Sequence, residues 1–215
     1  NGWSINFTSA RQRARQLKEK YDILAPGVRT LARKLSGGNL QKVILAREIS
    51  SEPQLMVAVQ PTRGLDVGAI EGVQRLLLEL RSTGTAVLLV SEELDEILSL
   101  SDRIAVMYAG HLVEIADSKI FHNVCRHPYT RALVAAVPLP DPQVSLPPVP
   151  VEGEPPDPAA LPPGCPYHPR CPHAFDLCLI DRPPLIEVDG DHQVACWLND
   201  GKRQGVVAFT KCAHT

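Results

Sequence analysis

The sequence has few aromatic residues, little methionine and no long apolar runs. Ten aromatic side chains in 215 residues leave few rings on which bases could stack, so no nucleic acid is expected as a partner. The longest pure apolar runs, such as Ala86–Val90, fall far short of the roughly 20 residues that cross a bilayer. No G-x-x-x-x-G-K-S/T loop occurs, so the α- and β-phosphates of a nucleotide cannot be cradled by that route. No C-x-x-C pair occurs either, which argues against a zinc ribbon and against ferredoxin-type runs. The chain opens Asn-Gly-Trp, and no secretory leader is expected there. Neither sign of charge dominates: the net charge is −2, with 21% charged and 44% hydrophobic residues, which excludes a wholly disordered chain. That length suits one compact α/β domain and is too short for two full domains with a long linker.

Proline and cysteine are the two excesses. Eleven of the 20 prolines fall in 138–163, and five of the six cysteines lie beyond residue 160. Charge is divided too: residues 1–50 hold ten Lys/Arg against three Asp/Glu, a balance of +7, leaving −9 for the rest. Arg11, Arg13, Arg15, Lys18 and Lys20 fall on several faces of a helix, as on a solvated helix.

Helices are expected over 8–22, opened by Thr8 or Ser9, over 38–50, and after Asp66, where Ile70, Val73, Leu76, Leu77 and Leu80 recur at helical spacing. Leu55–Val59 and Ala86–Val90 read as buried strands. Ser91 is expected to cap a short helix with Glu92 and Glu93 in its first turn. Ile104–Tyr108 and His111–Ile115, split by Ala109-Gly110, read as a hairpin. This strand–helix order predicts an α/β fold with a largely parallel sheet. The proline-dense 138–163 reads as a stiff linker leading to a compact Cys/His/Pro segment, 164–200.

Leu35-Ser36-Gly37-Gly38-Asn39-Leu40-Gln41-Lys42 is the most specific stretch. Two glycines after a serine at a helix start let backbone N–H groups approach an anion, with the helix dipole and a hydroxyl in support; the same sequence is also a good cap. Together with Leu55–Gln60, Gly64-Leu65-Asp66 and Ser91-Glu92 in that order, it resembles the C-terminal half of an ATP-binding-cassette (ABC) transporter nucleotide-binding domain, a P-loop fold. In that resemblance Leu35–Lys42 is the signature motif, Leu55–Gln60 the Walker B strand and Gly64–Asp66 the D-loop, and Ser91-Glu92 sits at the switch. Within the family, Gln60–Ala69 and Val90–Tyr108 are most similar to the second cassette of sugar or nucleoside importers.

Val59 and Gln60 stand where the family has the magnesium-binding Asp and the water-polarising Glu, and Glu92 stands at the switch His. Valine cannot ligate a hard cation, and a neutral amide is a poor base. No catalytic residue is therefore expected. The resemblance implies instead that Ser36, Gly37, Gly38, Asn39 and Asp66 face ATP with Mg in the site of a second cassette, the chain being a fragment without its own phosphate loop. The implied setting is the cytoplasmic face of the membrane, beside transmembrane permease subunits and, indirectly, a solute-binding protein.

Ile120-Phe121-His122-Asn123, His127–Leu133, Gly164–Pro172 and Val194-Ala195-Cys196 resemble the C-terminal extension of oligopeptide and dipeptide importer ATPases. The chain thus reads as a mosaic joined near residue 117. The expected parts are the cassette half, 1–117, a helical extension, 118–137, the linker, 138–163, the cysteine segment, 164–200, and a tail, 201–215. Cys165, Cys171, Cys178 and Cys196, with five, six and seventeen residues between them, suggest a metal site. Disulfides are the alternative where thiols are not kept reduced. The resemblance implies a 4Fe–4S cluster on these four, with zinc as the alternative. Cys125 and Cys212 are expected to be ordinary thiols. The rival to a transport ATPase is a non-catalytic iron–sulfur or zinc module.

Overall fold

The computed structural model describes residues 6–121, 124–136 and 153–200. Proline-rich residues 138–152, His122-Asn123, the tail 201–215 and Cys212 within it lie outside the described residues. The chain divides into two compact units, Asn1–Glu96 and Ile97–Thr215, so the boundary falls inside the segment read as cassette.

The N-terminal unit begins with α1 (Phe7–Lys20), capped by the Asn6 side chain, which accepts from the N–H groups of Thr8 and Ser9. Asn6, Thr8 and Ser9 can all cap, and the earliest of them does. No residue of α1 is fully buried, but Leu17 packs with Ile49 and Leu76 on the cluster of Tyr21, Ile23 and Ala46. Helix α2 (Gly37–Ile49) starts on Ser36, and α3 (Val67–Ser82) starts on Asp66. Strands β1 (Leu55–Val59) and β2 (Ala86–Val90) flank α3 in sequence and pair in parallel with no slip, Leu55 opposite Ala86 and Val59 opposite Val90. Their continuous apolar sequence predicts cover on both faces, yet burial alternates. Met56 and Ala58 are buried, whereas Leu55, Val57, Val59, Leu88 and Val90 are exposed. The expectation of buried strands is corrected to half-buried ones.

Helix α4 (Leu94–Leu100) begins later than expected. Ser91 Oγ accepts from the Glu93 N–H at 3.0 Å, a local turn that keeps Glu92 and Glu93 ahead of the helix, so Asp95 and Glu96 occupy its first turn.

The C-terminal unit contains β3 (Arg103–Tyr108) and β4 (His111–Asp117), an antiparallel hairpin. Its two-residue turn, Ala109-Gly110, has positive φ at both positions, as a primed turn requires. Short helices α5 (Ser118–Phe121) and α6 (Pro128–Ala135) follow. The cysteine segment adds α7 (Asp176–Ile180), β5 (Ile186–Asp189) and β6 (His192–Val194). Strand β6 pairs with β4, giving the order β3-β4-β6-β5. The expectation of a largely parallel sheet is therefore corrected: the two-stranded sheet is parallel and the four-stranded one is antiparallel. Residues distant in sequence from the hairpin complete its sheet. Among the described residues no helix is long and apolar enough to cross a membrane.

Candidate functional site

In the N-terminal unit the predicted nucleotide residues gather where α2 meets α3. Ser36 is exposed at the start of α2, and its Oγ accepts from the Asn39 backbone N–H at 3.4 Å and from Asn39 Nδ2 at 2.8 Å. Asn39 Oδ1 in turn accepts from the Leu24 N–H at 2.7 Å, which ties the turn after α1 to the helix start. Gly38 is buried, and a Cβ there would lie 2.5 Å from the Ala69 Cβ; one on Gly37 would lie 3.4 Å from Leu65 Cδ2. Gly38 thus lets α2 close on the first turn of α3, whose cap is Asp66 Oδ1 accepting from Ala69 N–H at 2.9 Å. The double glycine has a packing reason at Gly38 and leaves an open helix start at Gly37. Gly38→Ala is expected to lower stability by about 1–3 kcal/mol, the cost of overpacking a tight contact. A urea midpoint equal to that of the parent would contradict this.

Gln60 and Glu92 meet at the carboxyl ends of β1 and β2. Gln60 has φ +49°; its N–H donates to Val90 O at 2.8 Å, and its Oε1 accepts from the Glu92 N–H at 3.4 Å. Val59 presents an exposed hydrocarbon side chain beside them. This is the crevice where open α/β sheets bind ligands, but its lining offers an alkyl group, an amide and one carboxylate.

In the C-terminal unit Cys165, Cys171, Cys178 and Cys196 line one pocket, and all four are free thiols. Gly164 sets the first against the third: its φ is +72°, and a Cβ would lie 2.3 Å from Cys178 O. With no side chain there, Cys165 N–H donates to Cys178 O at 2.8 Å. Burial pushes the Cys165 thiol up, Cys171 to about 11 and Cys196 to about 12. Backbone N–H groups oppose it, from Tyr167 and His168 on Cys165, from His173 on Cys171 and from Leu198 on Cys196. Such N–H donors stabilise the thiolate form, the form that binds metal. Among the described residues no three His, Cys, Asp or Glu side chains are grouped as one bound metal ion needs. Cys125 is buried, with its Sγ 3.4 Å from the Phe121 carbonyl oxygen.

Sequence reasoning missed the polar cluster beside this pocket. Glu114 on β4 is fully buried and takes three hydrogen bonds. Oε1 accepts from Arg126 N–H at 2.7 Å and pairs with His192 Nε2 at 2.7 Å, and Oε2 accepts from His127 N–H at 3.0 Å. His127 caps α6 through Nδ1, which accepts from Tyr129 N–H at 3.1 Å, and it also lines the thiol pocket. Asp189-Gly190 between two short β-rich runs was the signal that could have placed β5 and β6, and hence His192, in a sheet.

Burial lowers His127 from 6.5 to about 4, against the pull of Glu114. Below pH 6.5 the unfolded chain takes up a proton that the folded chain refuses until about pH 4. The stability His127 contributes is therefore full above pH 6.5 and is lost as pH falls through that window, up to about 3 kcal/mol. Urea midpoints between pH 7 and 4 should fall less steeply in His127→Asn, whose side chain can still cap α6. Equal slopes in parent and variant would refute the assignment.

Comparison with known proteins gives relatives along most of the chain. Residues 113–178 match the family model of the oligopeptide/dipeptide transporter C-terminal region. The chain is 39% identical over 163 residues to the peptide ABC transporter ATP-binding protein y4tS of Sinorhizobium fredii, covering 75% of this chain and 46% of that one. It is 39% identical over 195 residues to the oligopeptide transport ATP-binding protein OppD of Mycobacterium tuberculosis, covering 89% of this chain and 32% of that one. A peptide import ATP-binding protein of Brucella ovis is 37% identical over 186 residues, 86% of this chain and 59% of its own. Among solved structures, the dimeric bacterial ABC transporter cassette MJ0796 aligns with TM-score 0.47 and 23% identity over 55% of this chain and 51% of that one. The chain thus spans between about a third and three-fifths of the length of these relatives.

An alignment of 195 residues in a chain of 215 must cross residue 117. The mosaic reading and the sugar or nucleoside likeness of the cassette part are not supported: the similarity to peptide-transport proteins runs through both parts. A stand-alone iron–sulfur or zinc module is likewise unsupported, since the similarity extends far outside the cysteine segment and β6 belongs to the sheet of the hairpin.

Proposed function

We propose that this chain supplies the signature-bearing part of the ATP-binding subunit of a peptide ABC importer, peripheral on the cytoplasmic face of the membrane, and completes an ATP site held by a second cassette. The observation that carries this is 39% identity to an oligopeptide transport ATP-binding protein over 89% of the chain, together with an exposed Ser36 at the open start of α2. Transmembrane permease subunits are the further partners, with a solute-binding protein acting through them.

The chemistry assigned to α2 is positioning and charge stabilisation. Ser36 Oγ and the first N–H groups of the helix point from its positive end, where the γ-phosphate of a partner-bound ATP with its Mg would sit. Gly37 keeps that approach free of a Cβ, Asn39 braces Ser36 through Nδ2, and Asp66 caps α3, whose Ala69 lies against Gly38. Phosphoryl transfer needs little else from a residue acting in trans. Val59 and Gln60 offer neither a magnesium ligand nor a base, and the Glu92 carboxylate would repel phosphate, so hydrolysis is assigned to the partner's site. Ser36→Arg is expected to cut the ATPase rate of the assembled importer at least tenfold, since a long cation would occupy the phosphate approach. A rate within twofold of the parent would refute the role.

The thiol pocket is assigned to a 4Fe–4S cluster on Cys165, Cys171, Cys178 and Cys196. The four thiols line one pocket, and the backbone N–H groups on three of them suit bound thiolates. Such a cluster, when bound, supplies four iron–thiolate bonds that staple a segment with little apolar core. Anaerobically purified protein should be brown and should lose its iron in Cys171→Ser. Colourless protein would refute the cluster.

A further inference from the structure

We propose that the cleft between α1 and the loop after it binds an elongated, soluble polyphosphate; this goes beyond the importer reading and stands independently of it. The cleft is open, about 610 Å³ in volume, and lies within the N-terminal unit. Arg11, Arg15 and Lys18 line it from the helix and Arg29 from the loop. Glu19 is the one carboxylate among the described lining residues, which leaves a balance of +3.

The five cations of α1 are not used alike. Arg13 Nη2 donates to Ser50 O at 3.4 Å, and Lys20 Nζ lies 5.3 Å from the centroid of the Tyr21 ring. Those two serve the fold. Arg11, Arg15 and Lys18 follow one another at spacings of four and three residues, which places them on one helix face. Among the described residues no hydrogen bond or ion pair engages their side chains or that of Arg29. Like charges four residues apart weaken a helix, and an anion in the cleft would offset that repulsion. Arg29 is carried by a closed turn: Gly27 N–H donates to Thr30 Oγ1 at 3.2 Å, and Thr30 N–H donates to Gly27 O at 3.0 Å. The fourth cation thus reaches the same cleft from a fixed loop.

The kind of anion follows from the lining. From Arg11 to Lys18 the row runs about 10 Å along the axis, at about 1.5 Å per residue. A single phosphate is shorter than that, whereas a chain of phosphates matches it. Guanidinium groups bind phosphate oxygens in pairs. No aromatic side chain lines the cleft among the described residues, so a base would find nothing to stack on. A flat bilayer surface cannot enter a cleft whose cations come from both helix and loop.

The test titrates the full chain with linear inorganic polyphosphate by calorimetry at about 0.1 M salt, where exposed charges more than about 10 Å apart are largely screened. Two double variants remove the same charge from the same helix: Arg15→Gln with Lys18→Gln inside the cleft, and Arg13→Gln with Lys20→Gln outside it. All four side chains are exposed or half-buried, so neither variant disturbs the core. We expect Kd to rise about tenfold or more in the first variant and to stay within about twofold of the parent in the second. Equal weakening in both would overturn the inference by showing attraction to net charge alone. A parent that binds no polyphosphate would overturn it as well, including one that binds only phosphatidylglycerol vesicles.

Discussion

Gly164→Ala should dismantle the thiol pocket while leaving the N-terminal unit folded. An alanine at φ +72° sits in the left-handed region, and its Cβ would meet Cys178 O at 2.3 Å and the Leu179 carbonyl carbon at 2.8 Å. Both partners are backbone at the end of α7, so no side chain can rotate out of the way. Either the Cys165 N–H to Cys178 O bond opens or α7 shifts, and both separate Cys165 from Cys178. Conformational strain and overpacking together come to about 2–5 kcal/mol. The four thiols should then react with an aromatic disulfide reagent at least tenfold faster than in the parent. Unchanged thiol kinetics would mean that Gly164 does not hold the pocket.

Glu114→Leu is the second substitution with a large expected effect. The carboxylate is the acceptor for Arg126 N–H, His127 N–H and His192 Nε2. A carboxylate can be buried here because three donors replace its water. Leucine matches its bulk but leaves those donors unpaired, at a cost of about 3–5 kcal/mol. Glu114→Gln keeps one acceptor oxygen and should lose about half as much. The loss should appear in the C-terminal unit, followed through Trp197, whose Nε1 donates to Asp181 O at 2.9 Å. A Glu114→Leu protein within about 1 kcal/mol of the parent would show that the β4–β6 pairing does not depend on this cluster.

The starts of α2 and α3 and the hairpin were legible because single residues decide them, whereas α1 starts on Asn6 and α4 only at Leu94. Ser36, Asp66 and Ala109-Gly110 each satisfy a local geometric demand that few other residues meet. The exposed face of β1 and β2 was not legible, because an apolar run says that a strand wants cover without saying what supplies it. The C-terminal unit was the hardest to read. Strands of four and three residues carry almost no periodicity, and the Glu114–His192 pair joins positions 78 apart in sequence. Cysteine spacing did suggest that four thiols act together; it did not show Gly164, Tyr167 or His127 beside them. The sugar or nucleoside likeness is not supported, and the cysteine segment, read as a separate part, adds strands to the sheet of the hairpin.

Association measured by sedimentation, with and without ATP, tests the central claim most directly. This chain would be mixed with the subunit of the same importer whose cassette carries a phosphate loop. The account predicts a one-to-one complex that requires ATP, and that Ser36→Arg abolishes. A complex indifferent to both ATP and Ser36→Arg, or tight ATP binding by this chain alone, would contradict it.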